Sequence, residues 1–134
     1  MFQSAHNSDE AIDEVVRWAD SLPGEFAVDV TDYDDGLLIE VRGTLLSSGL
    51  SLAALLRLGD ALDVPQYRFH LQHDDGRLLW RRDRHPGHAH EPGMTGPEHV
   101  HRVVGGREVR RPSGPVELAT IREQIITANL EYAK

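Results

Sequence analysis

The chain opens with apolar residues at helical spacing: Ile12, Val15, Val16, Ala19 and Leu22 recur at intervals of three and four. Ser8 stands where an N-cap belongs, Asp9 and Glu10 load the positive end of the helix dipole, and Leu22-Pro23-Gly24 stops the run. This predicts a helix over 8–22. The period then drops to two. Phe26, Val28 and Val30 alternate with Ala27, Asp29 and Thr31, and beyond the turn Asp34-Asp35-Gly36 the alternation resumes through Leu37, Ile39 and Val41, which reads as a hairpin. Ser47-Ser48-Gly49 marks the next turn. The stretch 50–62 has the Leu/Ala content of a helix, yet Leu50, Leu52, Ala54, Leu56 and Leu58 alternate, so a strand is expected. A clearer hairpin follows, with Tyr67, Phe69 and Leu71 on one face of its first arm, the turn Asp74-Asp75-Gly76, and a second arm over 77–82.

From 84 to 106 no period is visible and Gly, Pro and His crowd together, which predicts a long loop. After a short run near 108–110, Ser113-Gly114-Pro115 opens a second helix over 115–132, with Pro at the first helical position and a stripe of Leu118, Ile121, Ile125, Ala128 and Tyr132. The expected architecture is a single α+β domain over 1–134. An antiparallel β-meander of five or six strands over 25–83 is flanked by N- and C-terminal helices, with a His-rich loop at 84–106.

Composition narrows the function. A chain of 134 residues closes one core, and without cysteine it has neither disulfides nor a thiolate metal site. No apolar run reaches the roughly 20 residues that span a bilayer, and the polar start lacks the features of a signal peptide, so a cytoplasmic protein with no membrane segment is expected. Net charge is −8, but the signs are segregated. Acids dominate from 9 to 63, whereas Arg77, Arg81, Arg82, Arg84, Arg102, Arg107, Arg110 and Arg111 dominate from 77 to 111. One face is thereby suited to an anionic ligand and another to a basic partner. There is no P-loop, dinucleotide fingerprint, H-E-x-x-H, nucleophile elbow or helix-turn-helix pattern.

Chemistry concentrates in 81–102, which runs Arg81-Arg82-Asp83-Arg84-His85-Pro86-Gly87-His88-Ala89-His90, then a Gly/Pro spacer, then Pro97-Glu98-His99-Val100-His101-Arg102. Arg82 and Asp83 close a strand, at the rim of a rigid sheet. His88/His90 and His99/His101 are His-x-His pairs, whose side chains in extended chain share a face roughly 7 Å apart. Three readings are open on spacing alone. In a metal-independent nucleolytic site, one imidazole takes the proton of a ribose 2′-hydroxyl, another protonates the leaving oxygen, and Arg meets the phosphate charge. Alternatively His88, His90, His99 and His101 hold Zn²⁺ in a non-catalytic metal-binding or interaction module. Or the histidines are solvated on a loop, and Arg82–Asp83 is a surface ion pair worth at most about 1 kcal/mol. His6, His70 and His73 read as ordinary surface or edge-strand residues.

Arg82-Asp83, Pro86, His88 and the later Pro97 and His99-x-His101 resemble the signature of the TumE-type toxins of toxin–antitoxin modules. In that family an aromatic-rich hairpin runs into Arg-x-Asp or Arg-Asp, then Pro-His, then a Pro-His-His-x-His cluster and a C-terminal helix. The resemblance spans about 37–126. It implies a growth-inhibiting toxin, a cognate antitoxin of helix-turn-helix, DNA-binding type, and a target that is most simply RNA. It assigns Arg82 to phosphate binding, Asp83 to orienting an imidazole or Arg, and His88, His99 and His101 to acid/base work. His85 is added as a neighbouring catalytic candidate, with Arg81, Arg84 and Arg102 as substrate-binding groups. Glu98 departs from the pattern, standing where the family has the first His of its cluster, so a general-base role at that position would pass to Glu98 or the activity would be lost. Arg84 and His85 also depart from the small polar residues expected before Pro86. The acidic half is read as the antitoxin-facing surface, and the oligomeric state stays open.

Overall fold

The computed structural model describes residues 1–85 and 97–134. Helix α1 (Ser8–Asp20) leads into seven strands: β1 (Gly24–Tyr33), β2 (Gly36–Leu45), β3 (Ser51–Leu58), β4 (Gln66–Gln72), β5 (Leu78–Arg84), β6 (Glu98–Val104) and β7 (Arg107–Pro112). Helix α2 (Leu118–Glu131) follows. All strand pairs are antiparallel, and their order in the sheet is their order in the chain. The α+β meander with terminal helices is therefore as expected, including a strand at β3, where alternation outweighs helix propensity because every second residue enters the core.

Both helices lie on one face of the sheet. Trp18 of α1 packs edge-on against Phe69 of β4, with ring centroids 5.8 Å apart, and its Nε1–H donates to the Leu118 carbonyl of α2 at 2.8 Å. A single buried side chain thus joins both helices to the sheet. Around it Val15, Ile39, Leu56, Ile121 and Ile125 are fully buried. The stripe of α2 is used in that core, except that Tyr132 stays partly exposed.

Four expectations need correction. The N-cap of α1 is Asn7, not Ser8: Asn7 is extended and its Oδ1 accepts from the Glu10 N–H at 2.9 Å. The same helix ends at Asp20, short of Leu22. Helix α2 begins at Leu118 rather than Pro115. Val116 and Leu118, two residues apart, are both buried, which an extended segment allows, and the Ser113 N–H still donates to the Glu98 carbonyl at 3.0 Å as a continuation of the sheet. Finally, 84–106 is not all loop. Strand β5 runs to Arg84, β6 starts at Glu98, and β6 and β7 form a hairpin through Gly105-Gly106, making seven strands among the described residues instead of five or six. Both glycines have positive φ (59° and 79°), as the two-residue turn matched to strand twist requires.

Candidate functional site

Two local features aim the chemistry-bearing side chains. A bulge between β4 and β5 pairs Gln72 with Leu78 but Leu71 with Trp80, leaving Leu79 extra on β5. It puts Trp80, Arg82 and Arg84 on the helix-facing side, opposite Leu71, Phe69 and Tyr67, and turns Arg81 and Asp83 to the other face. Strand β6 then pairs His101 with Arg81 and His99 with Asp83. Because opposed residues of an antiparallel pair share a face, Arg81, Asp83, His99 and His101 meet on the face away from the helices. Arg68 of β4 lies beside Asp83, and Arg110 of β7 beside His101.

These side chains form a contiguous buried cluster. Asp83, His99 and His101 are 2, 0 and 1 % exposed. Asp83 Oδ1 lies 3.4 Å from His99 Nδ1, and Oδ2 lies 3.3 Å from both His101 Nε2 and Arg81 Nε. On its outer side His101 Nδ1 is 3.0 Å from Glu108 Oε1 and 3.2 Å from Arg81 Nη2. Which of the two it bonds depends on the tautomer: Nδ1–H donates to Glu108, whereas a bare Nδ1 accepts from Arg81. Burial, reinforced by the Arg81 charge, pushes the His101 imidazole below its usual range, against the opposing pull of Asp83 and Glu108. The His99 and His101 ring centroids are 6.4 Å apart, close to the spacing read from the His-x-His pattern. Asp83, His99 and His101 also each bring one nitrogen or oxygen within 4.8 Å of the others, a grouping able to hold a metal ion.

The other residues singled out from the sequence separate by face. Arg82 does not pair with Asp83, since adjacent strand residues point to opposite sides. It lies on the helix side with Nη1 3.5 Å from Gln124 Oε1, and burial lowers its pKa. Asp83 pairs with Arg81 instead. Arg84 meets Glu98 at 2.7 Å, also on the helix side, near the buried Tyr67, whose hydroxyl burial and the Glu98 charge push upward. Glu98 is therefore turned away from His99 and His101. The departure from the family pattern at that position leaves the Asp83–His99–His101 cluster intact.

Arg102 is exposed beside Trp80, off the cluster. His85 follows β5 with its backbone N–H on the Pro97 carbonyl at 3.0 Å. His88 and His90, half of the four-histidine grouping, lie outside the described residues. Sequence patterning does not single out Glu108, Arg68 or Arg110 as site residues. The signal for Glu108 is the Gly105-Gly106 turn, which folds β7 back beside His101.

No curated protein and no solved structure matches the chain. The sequence profile of the family described as Toxin TumE matches residues 25–131, from β1 through the last turn of α2, and so takes in every strand that builds the cluster. Among the described residues no helix is long and apolar enough to cross a membrane. By that match the chain belongs to the TumE toxin family, and it is the toxin component of a toxin–antitoxin module, with an antitoxin as its partner.

Proposed function

We propose that this toxin acts on RNA, and that the reaction centre is the cluster of Asp83, His99, His101 and Arg81 on the face of the sheet away from the helices. The observation that carries the reading is the convergence of one carboxylate and two imidazoles at 3.3–3.4 Å, with the Arg81 guanidinium against them and Arg68 and Arg110 at neighbouring sheet positions. Cleavage of a ribose phosphodiester needs a group that accepts the 2′-hydroxyl proton as that oxygen bonds to phosphorus. It needs another that gives a proton to the 5′-oxygen as the P–O bond breaks, and cations that meet the phosphate charge. Imidazole and carboxylate supply the first two, and Arg81, Arg68 and Arg110 the third. Arg also forms bidentate contacts to phosphate.

The same reading makes this a cytoplasmic toxin silenced by a basic, helix-turn-helix antitoxin. Asp29, Asp32, Asp34 and Asp35 are exposed on and beside β1, an edge strand at the far side of the sheet from β6 and β7. That acidic edge suits a DNA-binding partner. A complex whose interface lies only on the Arg/His face would contradict this assignment.

The test is inducible expression in a heterologous host with total RNA examined on a gel. The wild type is expected to arrest growth and alter RNA, and the triple His88/His99/His101→Ala variant to do neither at equal soluble level. Arrest with intact RNA would overturn the RNA reading, and an equally toxic triple variant would overturn the site.

A further inference from the structure

Hydrogen bonds account for the outer side of His101 but, among the described residues, not for the Asp83 oxygens or His101 Nε2. Among the described residues, both Asp83 oxygens and His101 Nε2 are buried with no hydrogen-bond partner, although Nε2 stands 3.3 Å from Oδ2. Arg81 Nε is equally close to Oδ2 yet is itself without a hydrogen bond. A carboxylate taken from water costs several kcal/mol, and the Arg81 charge offsets that cost without giving either Asp83 oxygen a hydrogen bond. Two ligand atoms bound tetrahedrally to one ion at about 2.0–2.1 Å lie about 3.3–3.4 Å apart. That is the spacing of both Asp83–His contacts, Oδ1 with His99 Nδ1 and Oδ2 with His101 Nε2, so that each carboxylate oxygen faces one imidazole. Behind His101, Glu108 stands 3.0 Å from Nδ1, the carboxylate–histidine arrangement that fixes a tautomer and turns the other nitrogen's lone pair toward a metal.

From this geometry we infer that Asp83, His99 and His101 bind a divalent transition-metal ion, with Glu108 as the positioning residue for His101. The inference rests on the reading of this cluster as the reaction centre, and it deepens that reading. Two imidazoles and one carboxylate form an N/O ligand set that suits Zn²⁺, Fe²⁺ or Mn²⁺ and leaves coordination positions open. His99 and His101 then serve as ligands instead of proton carriers. A metal-bound water would accept the 2′-hydroxyl proton as that oxygen bonds to phosphorus, the 5′-oxygen would take its proton from solvent water as the P–O bond breaks, and Arg81 would meet the phosphate charge. This set differs from the four-histidine grouping by using a carboxylate from β5 and neither His88 nor His90.

The test titrates the full, untagged chain, stripped with chelator, with Zn²⁺ by calorimetry and with Co²⁺ by visible absorption. The wild type is expected to bind one ion per chain, with Co²⁺ bands of a four- or five-coordinate site. Asp83→Asn should abolish binding, Glu108→Gln should weaken it about 10- to 100-fold, and His6→Ala should leave it unchanged. Glu108 is 49 % exposed, so its variant keeps the test decisive even where Asp83→Asn fails to fold. Absence of saturable binding by the wild type, or equal affinity in Glu108→Gln and Asp83→Asn, would overturn the inference. A toxin that cleaves RNA without binding metal would overturn this inference alone, whereas a metal-loaded protein without effect on RNA would overturn the functional reading alone.

Discussion

Replacing Asp83 by Asn separates a functional carboxylate from a structural one. The Asp83 side chain is 3 % exposed, and its oxygens lack hydrogen bonds among the described residues, so its desolvation costs several kcal/mol. Against this stands the attraction of Arg81 at 3.3 Å, about 5 kcal/mol at an effective dielectric of roughly 20. The two nearly cancel. Asn keeps the shape, and Arg81 is not stranded when the charge goes, because it is 24 % exposed and has Glu108 3.6 Å away. In chelator, Asp83→Asn is therefore expected to lie within about 1 kcal/mol of the wild type. With a denaturant slope of about 1–3 kcal/mol per molar, that is a midpoint shift of at most about 0.3–1 M urea, read by circular dichroism. Added Zn²⁺ at 100 times its dissociation constant should then stabilise the wild type by about 2.7 kcal/mol and leave the variant unchanged. A loss above about 3 kcal/mol in chelator would refute the reasoning, because that is the cost of breaking a buried ion pair that anchors the fold.

Two further outcomes test the frame and its pH response. Trp18→Phe removes the donor to the Leu118 carbonyl and part of a ring packed on Phe69, so a thermal melt should show a loss of about 2–4 kcal/mol; a change under about 0.5 kcal/mol would deny Trp18 its joining role. Glu14 accepts from the Gln3 N–H at 2.7 Å and from the Ser4 N–H at 2.9 Å. Partial burial raises its pKa, but these bonds outweigh it and hold the carboxyl below the usual 4.5. Its stabilising contribution is present above that value and lost as pH falls through the lowered one, so the Ser4 amide resonance should titrate below pH 4.5, and a midpoint at or above it would contradict the assignment. Glu14→Gln should give the acid-type spectrum at neutral pH.

Much of the fold is legible in the sequence because burial follows period two wherever the two strand faces have different surroundings. Leu52, Ala54, Leu56 and Leu58 betray β3 despite their helical composition, since each enters the core. Strand β6 is hidden for the opposite reason. Its residues facing away from the helices are His99 and His101, polar yet buried, so no apolar alternation marks them; only Gly105-Gly106 signals the hairpin. The site is legible as a segment but not as a constellation. Arg82 and Asp83 look like partners in sequence, whereas the bulge at Leu79 and the pleat place Arg81 with Asp83 and send Arg82 to α2. Glu108 and Arg110 enter only through the register of β7 against β6.

Incubation of the purified toxin with an end-labelled single-stranded RNA, beside Asp83→Asn at equal folded concentration, tests the central claim most directly. The wild type is expected to produce discrete shortened fragments that the variant does not produce. Intact RNA with both proteins under metal-replete conditions, or the same fragments from both, would contradict a reaction centre built on Asp83, His99 and His101.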